Sequence, residues 1–212
     1  MSVAQIFEGW HKTQAHLINR LPKLGPIELN LRASTEGWPI WAIVSHLAGA
    51  RVYWLCGVLN EAGAATTPFP DASGEGWEDH LDVPRGSAEL MFAIESSGQI
   101  IESCLARWTP EMLGQAFMRE RGSEIQWHTR QSVLTRIVMH DAFHCGEVSS
   151  LLGAHGFASM DPWAPIPSRV ARQPSRAWRH RRTNQPEQST WHFKAAPLNI
   201  GMEARIPHRW RL

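Results

Sequence analysis

Apolar residues recur at helical spacing in four stretches of the chain, and Gly- and Pro-rich segments separate them. The first stretch runs roughly from Val3 to Leu21, with Ile6, Trp10, Leu17 and Leu21 on or near one side, and Pro22 ends it. The second begins near Pro39, which suits a first helical turn, and runs to about Ala62, where Gly63 suits a stop. The third starts after Pro84, with Ser87 as the expected N-cap, and runs to about Trp108 through Leu90, Met91, Ile94, Ile101, Cys104 and Leu105. The fourth spans about Thr129 to His155, carries Val133, Leu134, Ile137, Val138, Ala142, Val148, Leu151 and Leu152, and meets a natural stop at Gly156. Residues 117–127, FMRERGSEIQW, hold a weak hairpin signal around Arg121-Gly122. The linker from Gly63 to Val83 is long for a compact domain, and such loops are often functional or mobile. There is no internal repeat. The pattern predicts an all-α fold, with four helices packed as a bundle.

Composition divides the chain in two. Residues 1–164 carry 11 basic and 18 acidic side chains, while residues 165–212 carry 10 basic and 2 acidic ones. The first part, net −7, reads as the globular domain. The second, net +8, has six prolines, nine arginines and no sustained period, and reads as a disordered or loosely packed tail. Its RVARQPSRAWRHRR run interleaves arginine with tryptophan, as nucleic-acid contacts do, but the acidic body argues against a broad nucleic-acid footprint. Three cysteines at long spacings, Cys56, Cys104 and Cys145, suggest neither a disulfide framework nor a cysteine zinc site. With no basic-then-apolar leader and no membrane-length apolar run, a reducing cytoplasm is the simplest expectation.

The chemistry concentrates in RIVMHDAFHCGEVSSLLGAHG. His140 and His144 are one helical turn apart, so a helix holds their imidazoles on one face. A third histidine, His46, lies in WAIVSHLAGARVYWL on a stripe of small residues: Ala42, Gly49, Ala50 and Gly57. Small side chains there leave room for a pocket or a close helix. Metal sites in bundles are built from side chains on facing helices, and three neutral imidazoles with an open position make a reactive site. Glu147, three residues after His144, is placed to orient an imidazole or to act as a base. Asp141 reads as a solvated charge, and Cys145 as packing. Trp41, Tyr53 and Trp54 are candidates to line a substrate pocket.

The combination of WPIWAIVSHLAGARVYWL with HDAFHCGEVSSLLGAHG resembles the DinB/YfiT-like metalloenzyme superfamily over about residues 3–163. That resemblance implies an up-down-down-up four-helix bundle, often a homodimer. It implies His46, His140 and His144 as ligands of a divalent metal, commonly zinc or nickel. Characterised relatives include bacillithiol transferases and a mycothiol-dependent maleylpyruvate isomerase. They imply a low-molecular-weight thiol delivered to a small electrophilic substrate. Metal-assisted hydrolysis and a non-catalytic metal-binding or stress-related bundle remain open beside that reading.

Overall fold

The structure, a computed structural model, describes residues 2–72 and 74–160; the basic segment 165–212 lies outside the described residues. The fold is all-α with one small hairpin. A short helix α1 (Val3–Ile6) leads through a bend into α2 (Trp10–Arg20), so the first apolar stretch is two helices rather than one. A 3-10 turn (Leu21–Lys23) and α3 (Pro26–Leu29) follow, with Pro26 at a position where its missing N–H costs nothing. Helix α4 (Ile40–Val52) continues as a π-helical segment (Tyr53–Val58), closed by a bond from the Leu59 amide to the Trp54 carbonyl at 3.2 Å. Helix α5 spans Ser87–Arg107, with Gly86 rather than Ser87 at the N-cap. Strands β1 (Ala116–Arg121) and β2 (Glu124–Thr129) pair antiparallel, Arg121 opposite Glu124, across a turn where Gly122 takes φ +59°.

Helix α6 (Arg130–Ala154) starts cleanly because Thr129 and Ser132 cap one another: the Ser132 amide donates to Thr129 Oγ1 at 3.1 Å, and the Thr129 amide to Ser132 Oγ at 2.9 Å. Gly156 follows its end at φ +77°, the left-handed conformation that glycine adopts without strain. Helix α4 packs against α5 and α6, and α2 packs against the same two helices. Helix α4 is buried almost all round, which explains its near-continuous apolar sequence. No helix among the described residues is long and apolar enough to cross a membrane.

Two polar clusters tie these helices together. At the far end of α4, the Glu61 carboxylate accepts from Arg107 Nη2 (2.8 Å), Trp108 Nε1 (3.0 Å) and Arg130 Nη2 (3.1 Å). Burial pushes its pKa up, but the hydrogen bonds from Arg107, Arg130 and Trp108 outweigh that and hold it below the ordinary carboxylate value. In the core, Arg51 Nη2 donates to Asp141 Oδ2 at 2.7 Å, both side chains 1% exposed. Trp10 Nε1 donates to the same oxygen at 2.9 Å. Arg51 Nη1 reaches Gln14 Oε1 (2.8 Å), and Gln14 Nε2 reaches the Ile94 carbonyl (3.0 Å). Gln14 lies against Gly98, where an added Cβ would meet its amide nitrogen at 2.5 Å. Asp141 is therefore not the solvated charge expected from its neighbours; it is fully buried and joins α2, α4 and α6.

A buried charge stripped of its partner typically costs about 3–5 kcal/mol, whereas replacing the whole pair with apolar groups is often close to neutral. Asp141→Ala should therefore lower stability by about 3–5 kcal/mol in urea unfolding, and Arg51→Met with Asp141→Leu should recover most of that loss. A single variant as stable as the parent would show that the pair does not fix the core.

Candidate metal centre

His46 projects from α4, and His140 and His144 from α6, toward one point. His46 Nε2 and His140 Nε2 are 3.0 Å apart, and one ring nitrogen from each of the three lies within 4.8 Å of the others. Ring centroids are 4.9 Å apart for His46–His140, 5.2 Å for His46–His144 and 4.5 Å for His140–His144. Burial pushes the His140 pKa down to about 3, with His144 and His46 adding to the effect. It is thus a neutral imidazole, the form that ligates a metal.

Two carboxylates orient the rings from behind. His46 Nδ1 meets Glu78 Oε1 at 2.7 Å, and His144 Nδ1 meets Glu147 Oε2 at 2.8 Å. A proton donated from Nδ1 to a carboxylate leaves the lone pair of Nε2 free and raises its basicity, the usual support for a metal-bound histidine. The donor set therefore fits a divalent cation such as zinc, with imidazole ligands and an open remaining position. Trp38 packs on His46 (centroids 5.0 Å) and Phe143 on His144 (5.0 Å). Phe143 and Met139, the residues before His144 and His140 on α6, are largely exposed.

Glu78 and Trp38 did not figure among the sequence-predicted residues. Glu78 comes from a 3-10 turn (Trp77–Asp79) in the long linker, which lies along α4. The small-residue stripe beside His46 explains how. Where a Cβ on Gly49 would be, the Phe69 ring sits 3.7 Å away; at Gly57 the Ala72 carbonyl oxygen comes to 3.0 Å. The stripe thus admits a loop, where a pocket or a close helix had been expected. At Gly76 a side chain would overlap the Glu78 carboxylate. Glu78 Oε2 is buried without a hydrogen-bond partner among the described residues.

The other candidates fall elsewhere. Trp41 has no exposed surface and belongs to the core, so it does not line an accessible pocket. Tyr53 is half-buried, and its hydroxyl accepts from Arg119 Nε at 2.6 Å. Glu147 is partly exposed, with 39% of its side chain accessible. Burial and the neighbouring Asp141 push the Cys145 thiol up to about 12, which leaves it protonated and unsuited to metal binding. His80 pairs with Glu75 on the surface at 3.1 Å, and His155 Nδ1 meets the Leu151 carbonyl at 2.8 Å. A cavity of about 360 Å³ beside α2 and α6, lined by Thr13, His16, Cys145 and Ser149 among others, contains none of the three histidines.

Fold and site define an all-α protein with a three-histidine group that can hold a metal ion. The model of the DinB superfamily matches residues 9–148, and the chain belongs to that superfamily. A crystal structure of a DinB-like protein from Bacillus cereus ATCC 10987 has the same fold, with TM-score 0.53 and 15% identity over 72% of this chain and 92% of that one. No curated protein matches the chain.

Loss of any one histidine should remove stoichiometric divalent-metal uptake, measured by elemental analysis of His46→Ala, His140→Ala and His144→Ala. Glu78→Gln and Glu147→Gln should each weaken metal affinity about 10- to 100-fold in chelator competition. Parental affinity in both would remove the orienting role assigned to the carboxylates. In metal-free protein, His140 stays neutral down to about pH 3, while its unfolded counterpart protonates near 6.5. The unfolded state then binds the extra proton, so stability declines as pH falls from 6.5 toward 3. The urea midpoint plotted against pH should lose part of that slope in His140→Gln; an identical slope would refute the assignment.

Proposed function

We propose that this protein is a divalent-metal-dependent enzyme that transfers a low-molecular-weight thiol to small electrophiles, with zinc the favoured metal. The observation that carries this is the convergence of His46, His140 and His144 with two of their Nδ1 atoms held by Glu78 and Glu147. Three neutral ligands leave a bound dication its full charge, and such a cation lowers the pKa of a thiol or water that enters its open position. Softness matching favours the thiol, since thiolate sulfur suits zinc.

The protein's own part is orientation and proton handling. Glu78 and Glu147 fix the ring planes of His46 and His144. Glu147 uses one oxygen for His144 from behind its ring and, being partly exposed, has the other open to solvent, so the thiol proton reaches it through water. Trp38 and Phe143, packed on the rings of His46 and His144, offer apolar surface to the body of an electrophile. In the reaction the S–H bond breaks, sulfur forms a bond to the electrophilic carbon, and the leaving group departs with the carbon's former bonding pair. The same exposed carboxylate beside a water would serve hydrolysis, which is the second reading.

The test is conjugation of monochlorobimane with a small thiol, followed by fluorescence, with and without chelator. Metal-dependent conversion that falls at least tenfold in Glu147→Gln is expected, on the scale of a lost general base. Conversion that ignores the chelator, or ester hydrolysis without thiol transfer, rejects the transferase reading.

A further inference from the structure

We propose that Arg119 and Arg136 form an anion site beside the histidine triad, and that it takes a carboxylate of the molecule that enters the metal's open position. This rests on the metal-dependent reading above and names the substrate class that the reading leaves open.

Arg136 lies four residues before His140, which itself lies four before His144, so the three share one face of α6. Tyr53 comes seven residues after His46 and continues its face toward the same end, with Trp54 beside it. Trp54 gathers the cluster. The Arg136 guanidinium lies 4.6 Å from its ring centroid, and that of Arg119 lies 4.8 Å from it and 5.2 Å from Tyr53. The hairpin supplies Arg119 from β1, where Nε donates to the Tyr53 hydroxyl (2.6 Å) and Nη1 to Gln126 Oε1 (3.2 Å). His128 from β2 packs on the same indole at 4.9 Å, and its Nε2 is buried without a partner among the described residues.

What sets these two arginines apart is that both lie over one indole without a counter-charge among the described residues, whereas Arg20 and Arg32, also without an acid, bond backbone carbonyls elsewhere. Residues 1–164 hold 18 acidic side chains against 11 basic ones, so an acid is easy to find. Arg51, Arg85, Arg107 and Arg130 each pair with one. Among the described residues no carboxylate pairs with Arg119 or Arg136, and the partners of Arg119 are neutral oxygens. Two like charges on one indole repel one another, and the aromatic faces offset that only in part. A bound carboxylate would lower the net charge of the pair from +2 to +1, and guanidinium forks match carboxylate geometry. The positive field is felt locally: burial, then Arg136 and Arg119, holds His128 below the ordinary histidine range. One helical turn rises about 5.4 Å, so a ligand with a thiol or other donor at one end and a carboxylate roughly one to two turns away spans both sites.

The experiment uses the full chain loaded with cobalt(II), whose thiolate charge-transfer band reads binding without turnover. 6-Mercaptohexanoate and 6-mercapto-1-hexanol are titrated into the parent and into Arg136→Gln, an exposed position whose replacement leaves the core intact. The acid should bind the parent about tenfold more tightly than the alcohol, and the ratio should fall near one in Arg136→Gln, with Arg136→Lys between. Equal binding of the two thiols to the parent, or an unchanged ratio in Arg136→Gln, overturns the anion site. If neither thiol produces the band, the thiol-transfer reading fails instead. Calorimetric titration of hexanoate then decides the anion site alone: binding weakened in Arg136→Gln supports it, and no binding, or equal binding to both proteins, overturns it.

Discussion

A guanidinium and a carboxylate, both shut away from water, decide how the two site-bearing helices meet. Arg51 is five residues beyond His46 on α4, and Asp141 adjoins His140 on α6. Neither charge can be left alone in the interior without a large penalty. Any sliding of α4 along α6 would part them, so the pair sets the axial register that brings His46 opposite His140 and His144. Trp10 and Gln14 extend the same constraint to α2. The metal-binding geometry is thus a by-product of a structural ion pair one residue away on one side and about one and a half turns away on the other.

Around that frame the histidines receive their orientation from two different sources. Glu147 is local, three residues from His144 on the same helix. Glu78 arrives from a loop that runs along α4 only because Gly49 and Gly57 have no side chains in its way. The ring of His144 is therefore aligned by helix geometry, while that of His46 depends on the seating of a loop. Beyond them, the hairpin and the π-helical segment bring Arg119, Tyr53 and Trp54 to the same side as the triad.

Much of this was legible in the chain. The four apolar stretches marked the long helices, because helical periodicity is a local property, and the i,i+4 histidines and His46 could be singled out by residue type and spacing alone. Glu147 was legible for the same reason. Asp141 differs from its sequence expectation because a carboxylate between two histidines looks solvated until its partner is known. The signal lay in Arg51, a lone charge inside the apolar run WAIVSHLAGARVYWL, which needed an acid somewhere distant. Glu78 was invisible, since its role depends on a loop path that no local period encodes. The small-residue stripe is visible in the sequence, but whether a helix, a ligand or a loop fills such a groove is settled only by tertiary packing. Trp41 suits a pocket lining by residue type, yet it faces the core, where most helical aromatics go.

The triad combines partners at very different distances along the chain. His140 and His144 are neighbours on any helix that forms locally, while His46 and His140 are 94 residues apart, and Asp141 is 131 from Trp10. Closing so long a loop comes late and costs entropy before it returns any contact. A nascent α6 therefore presents only half a binding site, and the complete one exists after α2, α4 and α6 have docked. A cation that prefers three imidazoles to two is bound by the finished protein far more than by its precursors, and so pulls the folding equilibrium toward completion. Completion of the fold and completion of the metal-binding group are in this sense one process.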